Sequence, residues 1–137
     1  MGAPSVRLRV AATLAVVVVG SAGMSACRKH GTGRPSTSAQ LVIVSPTPNE
    51  VTGPNVTLQV SLTGAQVVPA STGPLRGDQG HIHVWIGDKL VSMAYGTSQT
   101  LPNVAPGRHS LFAEFVATDH LPFANRLRAV VIFTVQG

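Results

Sequence analysis

The feature that most restricts the fold is a two-residue alternation that recurs in short runs and never gives way to a helical period. Val56, Leu58, Val60 and Leu62 alternate with Thr57, Gln59 and Ser61. A period of two places the four apolar residues on one face of a strand. Residues 41–44, 80–86, 89–94, 108–116 and 127–135 form comparable runs rich in β-branched and aromatic residues, the composition that suits a pleated surface. Between them stand Ser45-Pro46-Thr47-Pro48-Asn49, Gly53-Pro54-Asn55, Gly87-Asp88 and Pro106-Gly107, which turn the chain or forbid ladder donation. Gln66-Val67-Val68-Pro69 reads as a short edge segment and residues 97–101 as a further short strand. Residues 70–79, with Gly73, Pro74 and Gly77, form the longest loop.

About seven strands, with a turn signal roughly every 8 to 12 residues, predict an all-β domain over residues 40–137, an immunoglobulin-like antiparallel β-sandwich. Trp85 is the expected central aromatic of its core. The cysteine pair of antibody domains is absent, because Cys27 is the only cysteine. The segment Ala105-Pro106-Gly107-Arg108-His109-Ser110-Leu111 resembles the Pro-Gly-x-His-x-Leu entry to a late strand in many bacterial immunoglobulin-like domains. Together with Gly80-His81-Ile82-His83 and Asp119-His120-Leu121-Pro122, it is similar to domain families of exported bacterial proteins. That resemblance spans roughly residues 40–137; it implies the fold and an exported setting, and carries no activity with it.

The N-terminal region has a separate logic. Arg7 and Arg9 precede an apolar run from Val10 to about Gly23, followed by Met24-Ser25-Ala26-Cys27. This order of charge, apolar run and small residues is that of an export signal peptide, here residues 1–26. The run is shorter than the roughly 20 residues a stable membrane span needs. Cys27 after small residues resembles a bacterial lipobox, in which the cysteine is lipidated and becomes the mature N-terminus; Met24 stands where leucine is commoner. The resemblance implies a membrane anchor through Cys27 on the outer face of the cytoplasmic membrane or in the cell envelope. Residues 27–39, rich in Gly, Ser, Thr and Pro without periodicity, read as a flexible tether.

A formal net charge of +5 raises the question of nucleic acid. From Gln40 onward, however, Arg76, Lys89, Arg108, Arg126 and Arg128 are matched by Glu50, Asp78, Asp88, Glu114 and Asp119. The folded part is neutral, with its charges scattered, and lacks the clustered basic surface that phosphate backbones require. Nucleic acid is excluded as a partner.

The histidines carry the sharpest chemical question. His81 and His83 share a strand face roughly 7 Å apart, within reach of one ion. His109 falls on the track of Leu111, Ala113 and Phe115, the expected core side. If Trp85 also points inward, His81, His83 and His109 converge near one rim, where His120 joins them if its turn folds that way. Such a set, with Met93 as a soft additional ligand, suits copper or zinc. The competing reading has His81 and His109 bonding backbone at strand ends, His83 packing beside Trp85, and His120 bracing its turn with Asp119.

Catalytic sets are missing. Ser110 points to the opposite face from His109, so the two form no nucleophile–base pair. Glu114 and Asp119 make no paired-carboxylate site, and no glycine pattern follows a strand to open a helix. The sequence therefore predicts a non-enzymatic, lipid-anchored binding or structural module with a protein or envelope partner, or alternatively an extracytoplasmic copper- or zinc-binding protein.

Overall fold

The computed structural model describes Gly2 and residues 33–137. Apart from Gly2, the expected signal peptide, Cys27 and the first part of the expected tether lie outside the described residues.

Among the described residues nine strands follow in order: β1 (Gln40–Ser45), β2 (Val51–Thr52), β3 (Val56–Thr63), β4 (Gln66–Val67), β5 (Gln79–Ile86), β6 (Lys89–Ala94), β7 (Ser98–Leu101), β8 (Gly107–Ala117) and β9 (Pro122–Val135). Two of them, β2 and β4, are two-residue segments, and the other seven are the expected strands. One sheet has the order β1-β3-β7 and the other β2-β9-β8-β5-β4, with β6 also paired to β5, along Ile82–Ile86. The long pairings are antiparallel, while β2 runs parallel to β9 and β4 parallel to β5. This is an immunoglobulin-like sandwich: two sheets whose inner faces make one core.

The alternation in β3 does as expected, burying Val56, Leu58 and Val60. They meet Ile82 and Val84 of β5, Leu111, Ala113 and Phe115 of β8, and Phe123, Val131 and Phe133 of β9 in one apolar cluster. Gly80 is a close-approach position, since a Cβ there would run into the Val116 carbonyl oxygen. Only glycine lets the start of β5 lie this near β8.

Two expectations change. Trp85 is not the core aromatic; it is half-buried, on the opposite face of β5 from Ile82 and Val84. The β5–β8 register decides this by setting Ile82 opposite Phe115 and Val84 opposite Ala113, so the phenylalanines fill the core. The faces of β5 are therefore inverted, and His81 and His83 stand on the outer face of the larger sheet. The domain also begins earlier than residue 40. Thr37 and Ala39 are buried, and Thr37 trades two hydrogen bonds with Asn125, from its N–H to Oδ1 (2.8 Å) and from Nδ2 to its carbonyl (2.7 Å). The last residues of the expected tether are thus docked onto β9.

Candidate metal centre

An outward-facing side chain on a sheet is normally wet, yet His81 is fully buried and His83 nearly so. The cover is local. His83 lies directly opposite Glu114 on β8 and Met93 on β6, and His81 opposite Val116. The Tyr95 ring packs 5.2 Å from that of His81, and the Trp85 ring 5.5 Å from that of His83. His120 closes the arrangement from the β8–β9 hairpin, its ring centroid 4.5 Å from that of His81.

That hairpin is unusual in one respect. The His120 N–H donates to the Ala117 carbonyl and the Ala117 N–H to the Leu121 carbonyl, each at 3.0 Å. They enclose Thr118, Asp119 and His120. His120 has φ of 67°, the left-handed conformation that such a loop ordinarily gives to glycine. A side chain accepts strain at this position, and the result is an imidazole aimed over β5.

The three rings meet at their nitrogens. His81 Nε2 is 3.1 Å from His83 Nε2 and 3.0 Å from His120 Nδ1, and His83 Nε2 is 3.3 Å from His120 Nδ1. A hydrogen-bond network cannot satisfy this triangle. Each imidazole nitrogen carries either an N–H or a lone pair in the ring plane, so at least one of the three contacts must oppose two lone pairs or two N–H groups. A cation satisfies all three lone pairs at once. At the usual metal–imidazole distance of about 2.0–2.1 Å, an ion above the triangle would subtend N–metal–N angles of about 95–105°. That is the facial arrangement of three ligands with a further position open.

Electrostatics keep two of the rings in the ligating form. Burial pushes the His81 pKa down to about 4, with the neighbouring His83 and His120 adding to the effect. His83 is lowered by burial and by His120, against a smaller opposing pull from Glu114. Both are neutral at pH 7, so an ion need not displace a proton from them. Glu114 is itself buried and held by Arg126, whose Nε and NH2 donate to its two oxygens at 2.7 and 2.9 Å.

Asp119 sits beside the site without joining the triangle. Arg34 donates to both of its carboxylate oxygens, at 2.6 and 2.7 Å, and this holds the Asp119 pKa down to about 2. The anion so maintained lies next in sequence to His120.

His109 stands apart. Its Nε2 donates to the Ala105 carbonyl at 2.7 Å, and its ring packs 5.8 Å from that of Phe133. It lies in β8 at the end away from Val116, and its role is the backbone-bonding one. His81 differs, for its Nδ1 has no hydrogen-bond partner among the described residues. His81, His83 and His120 are the set the structure brings together. In the sequence, His120 is marked by Asp119-His120; the outward face of His81 and His83 separates them from the core-facing track of His109.

Comparison with known proteins gives the following. No family model matches the chain, and a search of curated proteins finds no match. Among solved structures it is similar to the fibronectin(III)-like modules of Clostridium thermocellum CbhA. Identity there is 20%, over 70% of this chain and 94% of that one, with a TM-score of 0.48. It is also similar to the PKD domain of human KIAA0319, at 12% identity over 85% of this chain and 92% of that one, with a TM-score of 0.45.

Proposed function

We propose that this protein is an exported, lipid-anchored, non-enzymatic binding module whose ligand is a copper or zinc ion held by His81, His83 and His120. One observation carries the reading: three ligand nitrogens within 3.0–3.3 Å of one another, a triangle that hydrogen bonds leave frustrated and a cation relieves. All-nitrogen ligation suits copper and zinc and disfavours magnesium and calcium, which take oxygen donors. Met93 stands opposite His83 on the same sheet face and is exposed; a thioether joining the set would favour copper. Anchoring through Cys27 is part of the proposal and rests on the order of Arg7, Arg9, the apolar run and Met24-Ser25-Ala26-Cys27.

Thermal melts of the untagged full chain in detergent test this, run with EDTA, with zinc and with copper(II). An ion that binds only the folded state at 100 times its Kd adds about 2.7 kcal/mol, a shift of roughly 10 °C or more for a domain of this size. The shift is expected in the wild type and absent in His81→Ala/His83→Ala. Identical wild-type melts in all three conditions would remove the metal reading. Mass spectrometry of the mature chain checks the anchor separately: an acylated Cys27 at the N-terminus supports it, and an unmodified Cys27 rejects it.

A further inference from the structure

We propose that Arg34 is a positioning residue for the ion site, and that docking of residues 34–39 onto the domain is coupled to ion binding. This rests on the metal reading above and adds its regulation.

The guanidinium of Arg34 grips both sides of the residue that supplies the third ligand. It donates to both carboxylate oxygens of Asp119, to the Leu121 carbonyl at 2.8 Å, and through Nε to the Pro122 carbonyl. Asp119 Oδ1 in turn accepts from the Leu121 N–H at 3.2 Å. His120 lies between these clamped residues at its positive φ. A planar fork with five donors can hold a carboxylate and two carbonyls together; an ammonium cannot reproduce that pattern. Immediately beyond Arg34, the Ala124 N–H donates to the Pro35 carbonyl, and Thr37 bonds Asn125. Residues 34–39 therefore form a strap whose charged end closes on the hairpin of His120 and whose body lies on the start of β9.

Strap and ion stabilise the same object, the hairpin with His120 turned over β5. If the docked strap raises ion affinity by some factor, the bound ion raises docking by the same factor. Outer-shell groups that orient a ligand typically contribute 10- to 100-fold in metal affinity. The coupling has a spatial consequence if Cys27 is the anchor. Arg34 comes seven residues after Cys27, a stretch that spans at most about 25 Å when extended. Release of the strap would lengthen the connection to about 45 Å, so the ion would hold the domain close to the lipid surface.

The test compares the full chain in detergent with Arg34→Ala and with Arg76→Ala, which removes an exposed ion pair to Asp78 elsewhere. Two quantities are read: copper(II) and zinc affinity by competition with a chromophoric chelator, and hydrogen exchange of the Thr37 and Ala124 amides with and without ion. Arg34→Ala should weaken ion binding about 10-fold or more, while Arg76→Ala leaves it unchanged. In the wild type the ion should slow exchange at Thr37 and Ala124 by a similar factor, and His120→Ala should abolish that slowing. Wild-type ion binding with equal affinity in Arg34→Ala, or with no change at the two amides, would overturn the coupling and leave the metal reading standing. A wild type that binds neither ion would overturn both.

Discussion

The two faces of β5 are equally hidden from water, by different means. Inside, Ile82 and Val84 share one apolar cluster with Val56, Leu58 and Val60 of the opposite sheet and Phe115 of their own, and that packing is all their burial requires. Outside, His81 and His83 are covered by one hairpin, one tyrosine and each other. Their burial is accompanied by an unpartnered Nδ1 and a nitrogen triangle that hydrogen bonds cannot complete. Core burial is self-justifying, because apolar area leaves water. Burying His81 and His83 against the exposed His120 is costly while the three facing nitrogens stay unsatisfied, and an ion at their point of convergence would relieve those three nitrogens. One face of β5 is suited to stability and the other to a ligand.

The largest effect belongs to the inner face. Phe115→Ala should destabilise by about 3–5 kcal/mol through loss of packing and the cavity left behind. The loss, read by urea denaturation, should be the same with and without ion. A cost that varied with ion would blur the separation of the faces.

Acidification probes the outer face next. In EDTA, His81 protonates near its ordinary pKa of 6.5 when unfolded but only at about 4 when folded. Between these values the unfolded chain binds more protons, so stability falls as pH falls through that window and is unaffected by this group above it. The full drop attributable to His81 is roughly 3 kcal/mol, measured by denaturation from pH 7 to pH 4. His81→Ala should flatten it.

Arg126→Ala leaves the buried carboxylate of Glu114 with Arg128 at 3.9 Å as its remaining cationic partner. A cost of about 1–3 kcal/mol is expected, with ion binding retained, because Glu114 braces β8 and does not belong to the triangle. The smallest effect is the most diagnostic. His120→Gly places the preferred residue at the left-handed position of the hairpin. Apo stability should hold or rise by up to about 1 kcal/mol, while the ion-induced shift in melting disappears. Stability and binding would then part company at one residue, as expected where strain serves a ligand. A marked loss of apo stability would argue that His120 braces the turn instead.

Much of the sandwich was legible because strand alternation and turn residues are local signals. Val56 to Leu62 assigns its own core face, and Gly87 and Pro106-Gly107 mark their own turns. Which face of β5 turns inward was not local. Both tracks of His81-Ile82-His83-Val84-Trp85 are apolar or amphipathic enough to be buried, and the register against Phe115 and Ala113 decides between them. Trp85, large and aromatic, points a sequence reading to the wrong face and with it places His109 on the same side as His81 and His83. The docking of residues 34–39 was hidden for a related reason. Arg34, Pro35, Ser36, Thr37 and Ser38 have a linker's composition, and their order comes from bonds to residues about 85 positions away, such as Asp119 for Arg34 and Asn125 for Thr37.

The most direct test of the ion site is the electron paramagnetic resonance spectrum of the full chain loaded with one equivalent of copper(II), read for nitrogen hyperfine coupling. The account predicts three imidazole nitrogens in the wild type, two in His83→Ala, and three again in His109→Ala. A wild-type spectrum of solvated copper, or one that His83→Ala leaves unchanged, would contradict it.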